Sequence, residues 1–281
     1  MNSIIKKCMG KGPLVSIITP CFNDGKYIKE CVESVQNSTY RYIEHIIVDD
    51  GSTDLFTHEV LDSLCYENVT IIKQVNQGVC VARNIGVNKA SGEYILPLDA
   101  DDMISTDYVK AAVLEFLEDS KIKLVTTNYT MFGKNNRNIK VQDYSLELLL
   151  GQNLFINCSM FRKSDFLAIG GYSLNMINGL EDWDFWIKLL SSGGSVSCLN
   201  ENHFFYRIKN INESRNSKVN FVNDNGLRKS IWENNKLVFS RTYFNPKKSV
   251  EFLLVYNSLE YQIGKVVLKP IRKIVRFIKN I

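Results

Sequence analysis

Short runs of β-branched and aliphatic residues alternate with helical periodicity between Val15 and Leu98. This alternation is typical of a parallel sheet covered by helices, because parallel strands need long crossovers that are usually helical. The strands that we predict are VSIIT, IEHIIV, VTIIK and EYILPL. In the first crossover, which starts near Gly25, helical spacing predicts one stripe that faces the sheet: Ile28, Cys31, Val32 and Val35.

The rest of the chain carries less regular patterns. Ser52 stands before Thr53 and Asp54, where we expect it to cap a helix in the second crossover. Elsewhere the patterns predict helices over about Val79 to Lys89, Thr106 to Glu118 and from Glu181, a strand over Leu124 to Thr130, and mainly helical sequence from Val219. The first hundred residues are therefore the most regular part of the fold.

Composition excludes several functional classes. The 281 residues carry a net charge of +4, spread over most of the chain without a basic stretch interleaved with aromatics, so we expect no nucleic-acid partner. The seven cysteines show no C-x-x-C pair or zinc-like spacing, which predicts reduced core thiols. We find no signal-peptide pattern and no window of transmembrane length, so we expect a cytoplasmic protein.

The segment LPLDADD is an apolar strand that ends in three carboxylates: Asp99, Asp101 and Asp102. Strand ends are where α/β proteins bind ligands, and carboxylates are ligands that Mg²⁺ and Mn²⁺ prefer. Such an ion normally completes its shell with waters and substrate phosphates. A solvated acidic turn that caps the next helix has the same composition, so this segment alone leaves both interpretations open.

A second acidic cluster, Glu181, Asp182 and Asp184, starts the helix in GLEDWDFWIKLL. Acidic residues in a first helical turn are stabilised by the helix dipole, which is a sufficient structural explanation. A carboxylate that is ionised at neutral pH would also suit a general base that takes the proton from an acceptor hydroxyl. Trp183 and Trp186 either offer flat apolar faces to a sugar ring or pack in the core.

Two weaker motifs lie between these clusters and the first strand. IIVDDGSTD ends another strand in Asp49 and Asp50, followed by ordinary Asp-Gly turn chemistry. NQGVCVARNIGVNKASGEY places Arg83 and Asn84 on a helix between two core strands. Arginine binds phosphate well, but an isolated arginine is usually a surface residue. Neither motif indicates a function by itself, and each has to be interpreted together with the other motifs of the chain.

Taken together, VSIITPCFNDGKYIKECVESV, IIVDDGSTD, NQGVCVARNIGVNKASGEYILPLDADD and GLEDWDFWIKLL resemble family 2 glycosyltransferases with the GT-A fold, of the bacterial cell-surface polysaccharide type. The resemblance extends from Val15 to about Ser214. It implies an α/β fold with a mostly parallel sheet flanked by helices. The implied parts are a nucleotide-sugar-binding half at 1–130, an acceptor-binding half with the catalytic base at 131–218, and a helical C-terminal extension with a basic amphipathic tail at 219–281.

The resemblance also implies roles for individual residues. In chain order these are Pro20, Phe22 and Asp50 for the nucleobase, Arg83 and Asn84 near the base and diphosphate, Asp99 near the ribose, Asp101 for Mn²⁺ or Mg²⁺, and Asp182, preceded by Glu181, as the catalytic base.

One position departs from the family pattern. The segment YRIKNINES resembles the family's Y-R-x-H-x-x-N-x-S, with Lys209 where a phosphate- or metal-facing histidine is expected. An ammonium binds phosphate well but, when protonated, does not ligate a metal. We therefore expect Lys209 to contact the donor diphosphate. Glu181, Trp183 and His203 are further candidates for contacts with the acceptor or the diphosphate.

The implied reaction is a single displacement that inverts the sugar. Asp182 would deprotonate a hydroxyl of a saccharide or lipid-linked acceptor, which attacks the anomeric carbon of a nucleotide diphosphate sugar, with uridine as the expected base. The metal on Asp101 would neutralise the leaving diphosphate.

Two alternatives remain open. A sugar-phosphate nucleotidyltransferase should have a phosphate loop rich in Gly and Lys or Arg, which PCFNDGKY does not supply. A non-catalytic sugar-binding relative would not need both Asp101 and Asp182. A dinucleotide oxidoreductase is disfavoured, because Gly10 and Gly12 precede the first strand instead of following it.

The C-terminal segment is basic and amphipathic. One helical stripe carries Val267, Ile271, Ile274, Ile278 and Ile281, while the cations lie mostly off it: Arg272, Lys273, Arg276 and Lys279. This pattern is typical of a helix on an anionic membrane surface, and it predicts peripheral association with the inner face of the cell membrane. A helix packed on the catalytic domain with a solvated basic face has the same pattern.

Overall fold

The predicted parallel strands form the first half of one sheet. The computed structural model describes residues 12–134, 136–177, 179–209, 221–242 and 255–266. In it, β1 (Val15–Cys21) lies between β2 (Ile43–Asp49) and β4 (Tyr94–Pro97), and β3 (Val69–Lys73) pairs with β2. All these pairings are parallel, so the strands end along one side of the sheet, here called the carboxyl edge.

Three helices cover this parallel block: α1 (Gly25–Gln36), α2 (Leu55–Asp62) and α3 (Val79–Lys89). The stripe predicted for α1 is buried. The prediction that Ser52 caps α2 is wrong, because the cap is Asp54, whose carboxylate accepts from the backbone N–H groups of Phe56 and Thr57. A carboxylate at this position brings two acceptor oxygens and a charge that the helix dipole stabilises.

The second half of the sheet is mixed. The strand β8 (Met160–Arg162) pairs antiparallel with β4 and with β6 (Ile122–Gly133), and β9 (Ser195–Ile208) runs parallel to β6. The short strands β5 (Met103–Ile104) and β7 (Arg137–Ile139) pair antiparallel with β9 and β6. The order is β3-β2-β1-β4-β8-β6-β9-β5, so one sheet continues across residue 130, which lies within β6.

The remaining helices of the described chain are α4 (Tyr108–Glu118), α5 (Leu146–Gly151), α6 (Lys163–Ile169), α7 (Glu181–Leu190), α8 (Phe221–Asn234) and α9 (Lys236–Thr242). Residues 259–266 are also helical. Every helix in the described ranges is too short or too polar to cross a membrane. The basic stripe predicted from Val267 lies outside the described residues.

Helix α7 is fixed to the sheet by its aromatic face. Trp183, Phe185 and Trp186 are at most 4% exposed, and the ring of Phe185 packs on that of Phe161 in β8 with centroids 5.0 Å apart. Burying such a side chain contributes roughly 1.5–3 kcal/mol. The acidic first turn of α7 is therefore held in a defined position.

Candidate active site

A buried arginine joins three motifs of the site. Arg83 on α3 is 2% exposed, and its two terminal nitrogens donate to Asp99 and Glu181, each at 2.7 Å. Its charge also lies 5.4 Å from the ring centre of Tyr172. Burial lowers the pKa of Arg83, but the charges of Asp99 and Glu181 outweigh burial and raise it. One permanently charged side chain thus ties the D-x-D segment to the first turn of α7.

Asp182 follows this bridge at the start of α7. Its half-buried carboxyl accepts from the side-chain amide of Asn153 at 2.9 Å and from the backbone N–H of Trp183 at 2.8 Å. Burial, and then the charge of Glu181, raise the pKa of Asp182 to about 7. Burial and the charge of Glu181 outweigh the hydrogen bonds from Trp183 and Asn153 and the charge of Arg83. Asp182 is therefore not the low-pKa carboxylate that its place in a first helical turn predicts. A carboxyl that titrates near pH 7 is well suited to proton transfer.

Two asparagines that the sequence analysis missed hold the site carboxylates. Asn153 binds Asp182, and the amide of Asn157 donates to Asp99 at 3.3 Å. The side-chain oxygen of Asn157 is buried without a hydrogen-bond partner in the described structure. Both asparagines lie between α5 and β8, in a segment without periodicity. The only sequence signal is a pair of amides four residues apart.

The ammonium of Lys209 contacts Asp101, the predicted metal ligand. It is 2.8 Å from a carboxylate oxygen of Asp101 and 2.8 Å from one of Asp24, and 4.6 Å from the ring centre of Tyr27. Burial lowers the pKa of Lys209, but the attraction of Asp101 and Asp24 outweighs burial and raises it. Asp24 was not among the predicted site residues, although it follows β1 at the carboxyl edge as the other acids follow their strands.

Arg207 on β9 anchors the backbone of the D-x-D segment. Its own backbone N–H donates to Asp102 at 2.8 Å, and its guanidinium donates to the carbonyl of Asp101 at 2.7 Å and to Glu30 at 2.8 Å. Burial, and then the charges of Asp101 and Asp99, raise the pKa of Asp102 well above its ordinary value. Asp102 is 2% exposed, whereas the side chains of Asp99 and Asp101 are 25% and 24% exposed. The latter two are the acids that a ligand can reach.

The residues predicted to hold the nucleobase lie at the carboxyl edge. Pro20 is buried within β1, and Phe22, just past the strand, is 37% exposed. Asp50 is buried, and its carboxylate accepts from two backbone N–H groups and one side-chain amide of residues 74–78. Asp50 therefore orders this loop, while Phe22 presents part of its ring to solvent.

Asn84 has a structural contact that the sequence did not predict. Its side-chain amide donates to the backbone carbonyl of Tyr172 and accepts from the Tyr172 N–H, both at 2.9 Å. The left-handed Gly170 and Gly171 precede this contact. Asn84 therefore fixes the turn after α6, and its predicted place near the base and diphosphate stays a prediction.

Trp183 and Trp186 do not offer a face to a sugar. Both are buried, the indole N–H of Trp183 donates to the carbonyl of Leu149 at 2.6 Å, and the guanidinium of Arg228 lies 5.0 Å from a Trp183 ring centre. The candidate role of Trp183 in acceptor binding is therefore wrong. The helical period of α7 turns its apolar face towards the core.

His203 does not join the site either. It is 6% exposed, its Nδ1 atom lies 2.7 Å from the hydroxyl of Ser105, and its ring stacks on Tyr108 with centroids 5.6 Å apart. Burial lowers its pKa. His203 is thus a packed residue beneath α4, and the candidate contact with acceptor or diphosphate is wrong.

Comparison with known protein families shows which family this chain belongs to. The family model described as Glycosyl transferase family 2 matches residues 16–176, which is more than half of the chain. This chain is a family 2 glycosyltransferase. A model described as the N-terminal domain of galactosyltransferase also matches residues 150–213, which include the acidic turn of α7.

Individual relatives agree with this assignment. This chain is 29% identical over 227 residues to glycosyltransferase GlyG of Streptococcus pneumoniae. The alignment covers 75% of this chain and 69% of GlyG. The chain is also 30% identical over 265 residues to a chondroitin synthase of Pasteurella multocida, over 82% of this chain but 26% of that protein. The solved structure of S. aureus TarS 1-349 in complex with UDP-GlcNAc superposes with a TM-score of 0.67 at 18% identity, over 90% of this chain and 75% of that one. The TarS likeness confirms the predicted GT-A fold.

The residues around Asp101 fit the divalent ion that the resemblance implies. Asp101 supplies a hard carboxylate oxygen at the carboxyl edge, and its side chain is 24% exposed, so an ion can reach it. No group of three or more metal-binding side chains occurs within the described ranges. An ion on Asp101 would therefore take most of its ligands from water and substrate, as magnesium commonly does. The metal requirement itself stays a prediction.

Whether the role of Asn84 is structural can be tested by substitution. We expect Asn84→Ala to lower the free energy of unfolding by about 2 kcal/mol, because two hydrogen bonds to backbone groups are lost. Its nucleotide affinity should equal that of the wild type. Asn138→Ala, which also removes hydrogen bonds but at an exposed position, should change the free energy of unfolding by less than about 0.5 kcal/mol. Weaker nucleotide binding at unchanged stability would instead support the role that the sequence implied.

Proposed function

We propose that this glycosyltransferase moves a sugar from a UDP-linked donor to a saccharide or lipid-linked saccharide acceptor in surface polysaccharide synthesis, with inversion at the anomeric carbon. The observation that carries the proposal is the Arg83 bridge, which joins Asp99 at the carboxyl edge to the turn that bears Asp182. Membership of family 2 and the likeness to TarS, solved with UDP-GlcNAc, support the donor class.

The donor would lie along the carboxyl edge. Phe22 supplies a partly exposed ring on which a base can stack, and Asp50 orders the neighbouring loop. Asp99, whose side chain is 25% exposed, would contact the ribose. Asp101 would hold Mn²⁺ or Mg²⁺, which when bound would neutralise charge on the leaving diphosphate.

Asp182 would act as the general base. Its carboxylate takes the proton of the acceptor hydroxyl while the oxygen forms a bond to the anomeric carbon. The bond from that carbon to the diphosphate breaks, and its electron pair leaves on the phosphate oxygen. Asn153 keeps the carboxylate oriented, and Glu181, held by Arg83, raises its proton affinity. One displacement without a covalent sugar intermediate inverts the configuration.

The base assignment can be tested on a donor chosen from a thermal-shift panel of UDP-sugars. We expect Asp182→Asn to bind UDP normally but to lower turnover by roughly 100- to 10,000-fold, because an amide cannot accept the proton. Wild-type turnover should rise with pH through about 7 and then level off, since only the deprotonated form of Asp182 is active. The variant should lose this rise.

The matched control is Asp143→Asn, which removes an exposed acid before α5 and should behave like the wild type. Near-normal turnover of Asp182→Asn would remove it from the base role. A wild type that binds UDP-sugars but never turns them over would instead favour a non-catalytic sugar-binding relative.

We also propose that the C-terminal segment lies on an anionic membrane surface, close to a lipid-linked acceptor. Residues 255–266 precede this segment, and four of their apolar side chains are each more than half exposed: Val255, Leu259, Ile263 and Val266. From residue 261 onwards the sequence carries lysines and arginines without an acid. Exposed apolar side chains combined with excess positive charge match the interface of an anionic leaflet.

Truncation after Gly264 tests this placement. We expect the truncated protein to lose sedimentation with anionic vesicles, because each cation near such a surface contributes about 1 kcal/mol. Turnover of the UDP-sugar should not change. Vesicles of zwitterionic lipid serve as the control and should sediment neither form appreciably. Unchanged sedimentation, or loss of folding on truncation, would show that the segment packs on the catalytic domain instead.

A further inference from the structure

The Lys209 ammonium and a metal ion would compete for the Asp101 carboxylate at the carboxyl edge. A metal would need the Asp101 carboxylate, yet one oxygen of that carboxylate lies 2.8 Å from the Lys209 ammonium. A protonated amine has no lone pair and cannot share a metal shell as histidine does. The ammonium and a divalent ion next to this oxygen would also repel each other strongly.

The lysine is held in this position by several contacts. Asp24, at the start of α1, binds the ammonium at 2.8 Å, and the ring of Tyr27 lies beneath it. The Lys209 side chain is 11% exposed, so little water screens these contacts. Arg207, two residues earlier, fixes the strand end through the carbonyl of Asp101. Lys209 is therefore held in a defined position within the site and is not a solvated surface lysine.

We propose that Lys209 is a tethered competitor of the metal, which occupies Asp101 while the donor site is empty and moves to the diphosphate when metal and donor bind together. The proposal rests on the proposed function, because the donor supplies the anion that takes over the ammonium. It assigns Asp24 as the residue that keeps the lysine beside Asp101.

Charge explains why the exchange requires both ligands. Asp24 and Asp101 carry two negative charges, and the ammonium compensates one of them. Adding a divalent ion alone would place three positive charges beside these two acids. A nucleotide diphosphate brings further negative charge and phosphate oxygens that bind both an ammonium and a metal. Metal and diphosphate should therefore bind with positive coupling, each strengthening the other.

The test measures Mn²⁺ binding directly, by the electron paramagnetic resonance signal of free Mn²⁺, with the whole 281-residue chain. Without nucleotide, we expect Lys209→Gln to bind Mn²⁺ roughly tenfold or more tightly than the wild type, because a positive charge a few ångströms from the ion is removed. Lys209→Arg keeps the charge and should bind as weakly as the wild type. Lys29→Gln, which removes an exposed lysine of α1, is the matched control and should not change the affinity.

Adding UDP completes the test. In the wild type, UDP should tighten Mn²⁺ binding by about tenfold or more, and in Lys209→Gln by clearly less. If Lys209→Gln does not fold, Lys209→Met, which keeps the apolar stem on Tyr27, replaces it. Nucleotide-free Mn²⁺ binding that is equally weak in the wild type and the charge-removing variant would overturn the competitor role. Failure of UDP to bind the wild type would overturn the donor proposal instead, while the nucleotide-free comparison still tests Lys209.

Discussion

The contact on which the rest of the site depends is the buried guanidinium of Arg83. It binds an acid 16 residues later, at the end of β4, and another 98 residues later, at the start of α7. A buried charge that loses its partner costs about 3–5 kcal/mol, so these segments are strongly favoured to fold against each other. The bridge thereby places the predicted general base beside the strand ends where a donor would bind.

Three cationic side chains contact the acidic segments at the carboxyl edge, and each makes a different kind of contact. Arg83 is buried and joins two acids, Arg207 fixes the backbone of the D-x-D segment, and Lys209 binds the one acid that a metal would also need. Parallel strands concentrate these acids because every strand delivers its last residues to the same edge. The fold thus concentrates negative charge at this edge, and the three cations partly compensate it. In the proposed exchange, a metal ion bound together with the donor takes the place of the Lys209 ammonium at Asp101.

The sequence predicted the features that depend on local pattern. The bounds of α3, the start of α7 and the buried stripe of α1 were correct because helical periodicity over ten or more residues is a strong signal. The short strands β5, β7 and β8 have two or three residues each, too few for a period to be visible. The resemblance assigned site roles to Arg83 and Asp182, which stay predictions, and it did not show the environment of either side chain.

That environment could not be read from the sequence because it depends on distant partners. The raised pKa of Asp182 requires burial beside Glu181, and the contact of Asn84 requires the turn before Tyr172. For Trp183 the sequence left two interpretations open, a flat face for a sugar ring or a core residue, and packing in the core decides between them.

A double-mutant cycle on the Arg83 bridge tests the central claim most directly. The free energy of unfolding in urea would be measured for the wild type, Arg83→Met, Glu181→Gln and the double variant. We predict that Arg83→Met alone loses about 3 kcal/mol or more, because it leaves two acids without their cation. The double variant should lose at least about 1 kcal/mol less than the sum of the single losses. Losses that add within about 0.5 kcal/mol would show that Arg83 and Glu181 are not coupled, and would contradict the account.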